Sequence, residues 1–156
     1  MEIRRASVSD AAEIAAVHVH TWQTAYQDVF GAERLAGIDT PRRIAGWTRA
    51  LEEGDPIFVA ADDGRVVGFV SLRACELRAI YALPETWGSG AGPALMRAAV
   101  EQLREDGCAE AFLWVLEDNP RARRFYEREG WDIDGTRKED EFLGVRVAEV
   151  RYRLTL

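Results

Sequence analysis

Between residues 88 and 92 the chain reads Gly88-Ser89-Gly90-Ala91-Gly92, three glycines in five positions directly before a helix-forming run that opens at Pro93. A turn of this composition lets backbone N–H groups approach a ligand closely, and the start of the following helix adds a positive dipole end, so the chemistry it suits is phosphate binding. The dinucleotide pattern G-x-G-x-x-G is not met: its sixth position is Pro93 counted from Gly88 and Leu95 counted from Gly90. The Gly-Lys-Ser/Thr ending of a P-loop is missing as well. Glycine density alone fits a plain tight turn equally well. His18 and His20 have no third ligand in view, so no metal site is expected. No Ser-His-Asp or Cys-His arrangement points to a covalent enzyme intermediate.

These residues are positioned by a recognisable series of elements. Ile3–Arg5 reads as a strand, and Ser7 with Asp10 as a capping box before a helix that turns Ile14 and Val17 inward. His18, Trp22, Tyr26 and Phe30 follow at i, i+4 steps; such a stripe is usually core, and lining of an acceptor pocket is the alternative. Thr40 and Pro41 open another helix carrying Ile44, Trp47 and Leu51. The period then changes. Ile57–Ala61 and Val66–Leu72 flank a turn at Asp62-Asp63-Gly64, and Glu76–Leu83 is a third strand. A helix from Pro93 to about Asp106, a strand Ala111–Leu116, a helix opened by Asn119-Pro120, and strands near Trp131–Ile133 and from Val145 onward complete the chain. The order predicts a single α/β (α+β) domain over residues 1–156: a mixed, mostly antiparallel sheet of six to seven strands with helices on both faces.

Composition narrows the partners. In 156 residues, Asp and Glu number 27 against 20 Lys and Arg, a formal charge of −7. A nucleic-acid partner would require a basic stripe that this balance does not supply. The acidity instead inclines the expected small-molecule partner toward a cationic amine. Arg4, Arg5, Asp10 and Glu13 interrupt any apolar stretch near the start, so neither an export signal nor a membrane span is expected. Cys75 and Cys108 read as isolated thiols, with no disulfide framework and no zinc site, and a cytoplasmic, reducing location fits them.

The stretch ELRAIYALPETWGSGAGPAL, Glu76 to Leu95, resembles the acetyl-CoA-binding motif of the Gcn5-related N-acetyltransferase (GNAT) family: a strand, a Pro, then Q/R-x-x-G-x-G/A at a helix start, with Gly90 and Gly92 at the two glycine positions. A second family element lies in register downstream, through Val115, Asn119, Ala122 and Tyr126, closing on Phe125-Tyr126-Glu127-Arg128-Glu129-Gly130-Trp131. The element order is the family's too. The resemblance spans essentially the whole chain and implies the GNAT fold and direct acetyl transfer from acetyl-CoA, as co-substrate and without a metal, to an amine of a small molecule or peptide.

Residue by residue, the resemblance implies that main-chain groups of Ile80, Tyr81 and Ala82 pair with the pantetheine arm, and that Gly88, Ser89, Gly90, Ala91, Gly92 and Pro93 form the pyrophosphate turn. Asn119 is expected to bond the cofactor or orient its surroundings, and Tyr126 to protonate the departing thiolate. Glu76, eleven residues before Trp87, falls where some members place a general base acting through water; the plain alternative is an exposed carboxylate at a strand start. Two departures from the pattern stand out. Trp87 replaces the usual Gln or Arg, and Pro93 removes one N–H. Cations for the 3′-phosphate must then come from elsewhere, with Arg97, Arg121, Arg123 and Arg124 in reach by sequence. A non-catalytic acyl-CoA-binding domain, or transfer of another acyl group, is the competing expectation. Homodimers are common in the family, but no sequence feature here encodes one.

Overall fold

The computed structural model describes residues 1–156. β1 (Glu2–Arg5) leads through a 3-10 turn into α1 (Ala11–Ala25), followed by short α2 (Gln27–Phe30) and α3 (Ala32–Ala36), then α4 (Thr40–Glu52). Next come β2 (Ile57–Asp62), β3 (Arg65–Arg73), β4 (Glu76–Ala82), α5 (Ala91–Glu105), β5 (Glu110–Leu116), α6 (Pro120–Arg128), β6 (Asp132–Phe142) and β7 (Val145–Thr155). All seven strands form one sheet in the order β1-β2-β3-β4-β5-β7-β6. Its pairings are antiparallel except β4 with β5. That parallel pairing is confined to Glu76 opposite Phe112. Beyond this point β4 stays with β3 and β5 with β7, so the sheet splits into a wedge.

Helices cover both faces. Neighbouring residues of β3 show this: the Phe69 ring meets His18 of α1 and Trp47 of α4, whereas a side chain on Gly68 would strike Leu95 of α5. Successive strand residues point to opposite faces, which puts α1 and α4 on one side and α5 on the other. Twenty-four buried residues, among them Ile14, Phe69, Leu95, Leu113, Trp131 and Tyr152, form the main core. A smaller cluster of Tyr26, Phe30, Leu35 and Leu116 lies under the loop joining β6 and β7, against Phe142 and Leu143.

Four details differ from the sequence expectation. The aromatic stripe does not ride one helix: at Tyr26 the backbone leaves helical geometry (φ −116°, ψ 20°), and Gly31 at φ 81° ends the next turn. Asp39, not Thr40, caps α4, its side chain accepting from the Arg42 N–H at 3.1 Å. β6 runs eleven residues, well past Ile133. Its polar sequence hides it, because pairing with β7 orders it despite most of its residues being exposed. Finally, Cys75 and Cys108 form a disulfide with Cα atoms 5.9 Å apart. The reading of two isolated thiols is corrected, and the reducing location loses the support they gave it. The cause is tertiary: the Phe112 N–H donates to the Cys75 carbonyl at 3.2 Å, and this β4–β5 junction brings together residues 33 apart in sequence. No helix is long and apolar enough to cross a membrane.

Candidate active site

The wedge leaves one edge of β4 free. The Leu83 N–H donates to the Val67 carbonyl, and the same register sets Tyr81 against Phe69. Antiparallel ladders alternate, so the Tyr81 main chain faces β3 while those of Ile80 and Ala82 face the wedge. Trp87 agrees with this, its indole N–H donating to the Ala82 carbonyl at 3.0 Å. Of the three strand residues expected to present main-chain groups, two do so at the open edge. Tyr81 contributes a side chain instead: its hydroxyl accepts from the Trp22 indole at 3.0 Å, and its ring stacks on His18 at 5.2 Å.

At the outer end of β4 the glycine turn takes shape. Gly88 (φ 86°) and Gly90 (φ 93°, ψ 2°) occupy left-handed conformations that side chains resist. The Ser89 N–H is used within the turn, donating to the Thr86 carbonyl at 3.0 Å. The N–H groups of Gly88, Gly90, Ala91 and Gly92 have no main-chain acceptor and lie at the start of α5. Pro93 falls in the first helical turn, where its missing N–H would have had no helical partner. A Cβ on Gly92 would sit 3.2 Å from the Phe125 ring, so glycine there lets α5 and α6 approach. The Arg121 guanidinium lies 3.3 Å above the Trp87 ring, a cation–π pair that sets a positive charge beside the turn. Arg123 is otherwise committed, to the Tyr152 hydroxyl and the Glu117 carbonyl.

α6 supplies the two remaining motif residues. Asn119 caps it, accepting from the Ala122 N–H at 3.1 Å, and its amide donates to the Tyr26 hydroxyl at 2.9 Å. Both ends of Asn119 are therefore held by protein. Tyr126 is 7% exposed, and its hydroxyl makes no hydrogen bond within the protein. Burial, and secondarily the neighbouring Tyr81, push its phenol well above the ordinary value, and burial does the same to Tyr26. Three coupled phenols, Tyr26, Tyr81 and Tyr126, thus stay protonated near neutral pH.

Two carboxylates share the face of the sheet that carries α1. Glu76 opens β4 at the closed end of the wedge, with Arg78 at 3.7 Å. Glu149 on β7 lies opposite Leu116, which packs on Tyr26, and 3.8 Å from Lys138. Burial raises the Glu149 carboxyl above its usual range, and its charge acts on Tyr26 and Tyr81.

The sequence profile of the Acetyltransferase (GNAT) family matches residues 13–131. The chain belongs to the GNAT acetyltransferase family. Among its GNAT relatives, the uncharacterized N-acetyltransferase YuaI of Bacillus subtilis is 33% identical over 159 aligned positions, covering 95% of this chain and 89% of that one. A GCN5-related N-acetyltransferase structure from Rhodopseudomonas palustris superposes with a TM-score of 0.84 at 23% identity, over 99% of this chain and 95% of the other. YncA of Salmonella typhimurium, solved with its cofactor acetyl-CoA, gives 0.74 at 20% identity, over 99% and 93%. These structural likenesses carry the GNAT fold.

Ile80 and Ala82 lie at the open edge of the GNAT wedge, and the glycine turn follows β4 into α5. Asn119 caps α6 and Tyr126 lies on it, α6 meeting α5 where Phe125 faces Gly92, and Glu76 stands at the closed end. Sequence reasoning missed the Tyr81 side chain and Glu149. Glu149 sits among the polar alternates of β7, between Ala148 and Val150, and nothing local marks it as buried. The stripe divides: Tyr26 and Phe30 are core, whereas His18 and Trp22 are partly buried beside Tyr81.

Proposed function

We propose that this GNAT protein transfers the acetyl group of acetyl-CoA directly to a primary amine of a small molecule or peptide. The observation that carries the reading is the wedge itself: β4 main-chain groups at Ile80 and Ala82 that bond no strand across it, only the Ala82 carbonyl accepting from the Trp87 indole, a glycine turn with unclaimed N–H groups at its end, and an unpartnered Tyr126 hydroxyl on α6. These features fit acetyl-CoA, which when bound supplies a thioester carbonyl to be attacked and a thiolate to leave. Ile80 and Ala82 pair with amides of the extended arm, as an added strand would. Gly88, Gly90, Ala91 and Gly92 donate to phosphate oxygens. Arg121, held over Trp87, supplies donors and a positive charge beside the position where the usual motif has Gln or Arg.

In the transfer an N–C bond forms as the C–S bond breaks; the nitrogen gives up a proton and the sulfur gains one. Tyr126 donates to sulfur; burial leaves its phenol protonated at neutral pH. Glu76 takes the amine proton through water. A second reading gives this task to Glu149, favoured by its burial and raised carboxyl pKa, which bring it nearer the working pH of a base.

Steady-state assays of thiol release against a panel of amines test the proposal. Tyr126→Phe is expected to lower kcat by about 100-fold with the acetyl-CoA KM little changed. Glu76→Gln is expected to remove the acidic limb of the pH profile; its loss in Glu149→Gln instead moves the base to β7. Full kcat in Tyr126→Phe contradicts the acid role. Acetyl-CoA binding without turnover on any amine favours a non-catalytic acyl-CoA-binding domain.

A further inference from the structure

A cavity of about 530 Å³ opens between α1, the start of α4 and the loop joining β6 to β7. His18, Ile38, Arg42, Arg43, Trp47 and Leu143 are among its walls. It adjoins the wedge through His18, whose ring stacks on Tyr81 of β4. The chain's net charge of −7 would suggest an acidic pocket, and the lining is the reverse. Arg42 and Arg43 bring two guanidinium groups, and no carboxylate lies within ion-pair distance of either. Asp39, the one acidic residue in the lining, uses a side-chain oxygen to cap α4 through the Arg42 backbone N–H.

A second observation is independent of the arginines. The His18 Nδ1 is buried and has no hydrogen-bond partner. The His18 ring is thus a polar group in the cavity wall whose buried nitrogen no protein group satisfies. Burial and the nearby Arg43 charge lower the His18 pKa to about 4, so the imidazole is neutral at working pH and the arginines alone set the charge. Trp47, Ile38 and Leu143 add apolar wall beside them.

We propose that this cavity receives an anionic group of the acetyl acceptor, so that the acceptor is an amine that also bears a carboxylate or phosphate. The inference rests on the transferase reading above. Arg43, whose charge acts on both His18 and Tyr81, binds the oxyanion, and Arg42 adds positive charge to the same wall. The aromatic and aliphatic walls hold the intervening skeleton while the amine extends past His18 toward Tyr81. Planar guanidinium groups match the oxygens of either anion in geometry and charge. The preference for a cationic acceptor suggested by net charge is thereby narrowed: the amine end meets Glu76 and Glu149, and the far end meets cations.

Matched acceptors test this: phenylalanine against phenethylamine for the carboxylate, and phosphoethanolamine against ethanolamine for the phosphate. The wild type is expected to favour the anionic member of at least one pair by about 10- to 100-fold in kcat/KM, and the favoured pair identifies the anion. In Arg43→Gln the ratio should fall to within about 3-fold of unity, through the KM of the anionic member, and Arg43→Lys should restore part of it. Calorimetry with N-acetylphenylalanine and its amide on the CoA-loaded protein gives a readout independent of turnover. Acid-selective binding lost in Arg43→Gln upholds the site even where no amine turns over, in which case the transferase reading alone fails. Equal binding of acid and amide, or ratios that Arg43→Gln leaves intact, overturn the site whatever the activity.

Discussion

The β4–β5 wedge offers a ligand mainly main chain, through the free edge at Ile80 and Ala82 and the N–H groups of Gly88, Gly90, Ala91 and Gly92. The cavity beside it offers side chains: Arg42 and Arg43 from α4, His18 from α1 and Leu143 from the hairpin loop joining β6 to β7, far along the chain. The two regions meet at Tyr81 and His18, yet they constrain the sequence differently. A main-chain site fixes backbone shape, so it demands glycines at set positions, a strand before them and a helix after. A side-chain site demands residue types at points that only the finished fold brings together. On the proposed reading the first suits an invariant co-substrate, and the second can change acceptor without disturbing the first.

The largest effect that separates the regions is a pH dependence of stability on the cavity side. His18 titrates at 6.5 when unfolded and at about 4 when folded. The unfolded chain therefore binds the proton more readily in that window. The stability due to neutral His18 is complete above about pH 6.5 and is lost as pH falls toward 4, by about 3 kcal/mol. Glu149, with a raised carboxyl pKa, contributes an opposite slope in part of that range, so the wild type is to be compared with His18→Gln. Urea unfolding across pH 4–7 should show a slope in the wild type that is largely absent in the variant. Equal slopes would mean that His18 is not held in a desolvated site.

A smaller effect isolates the cofactor side. Gly90→Val places a β-branched residue at φ 93°, at a cost of about 1–2 kcal/mol. Titration with CoA should show roughly 10-fold weaker binding, with the acceptor KM nearly unchanged. A change in acceptor KM as large as that in CoA affinity would show that the regions do not act separately.

The same contrast explains how much could be read before folding. Gly90, Gly92, Asn119 and Tyr126 stand at fixed spacings within strand-turn-helix units, so both motifs and the order of elements along the chain were legible. Arg42 and Arg43 look like any exposed helix surface until the fold sets them in one cavity wall with Leu143 and His18. Cys75 and Cys108 carry no spacing signal, because only the β4–β5 junction brings them together. β6, written DIDGTRKEDEF, lacks apolar alternation and is ordered by its partner strand. Trp87 reads as a departure from the motif, and only the Arg121 guanidinium above its ring shows where a cation stands instead.

Quantifying free thiol and acetylated amine together, in one reaction of the purified protein with acetyl-CoA and a carboxylate- or phosphate-bearing amine, tests the central claim most directly. Direct transfer predicts the two products in equal amounts at every time point, with no acetyl group retained on the protein. Thiol released without acetylated amine, or an acetylated protein that forms ahead of the product, would contradict it.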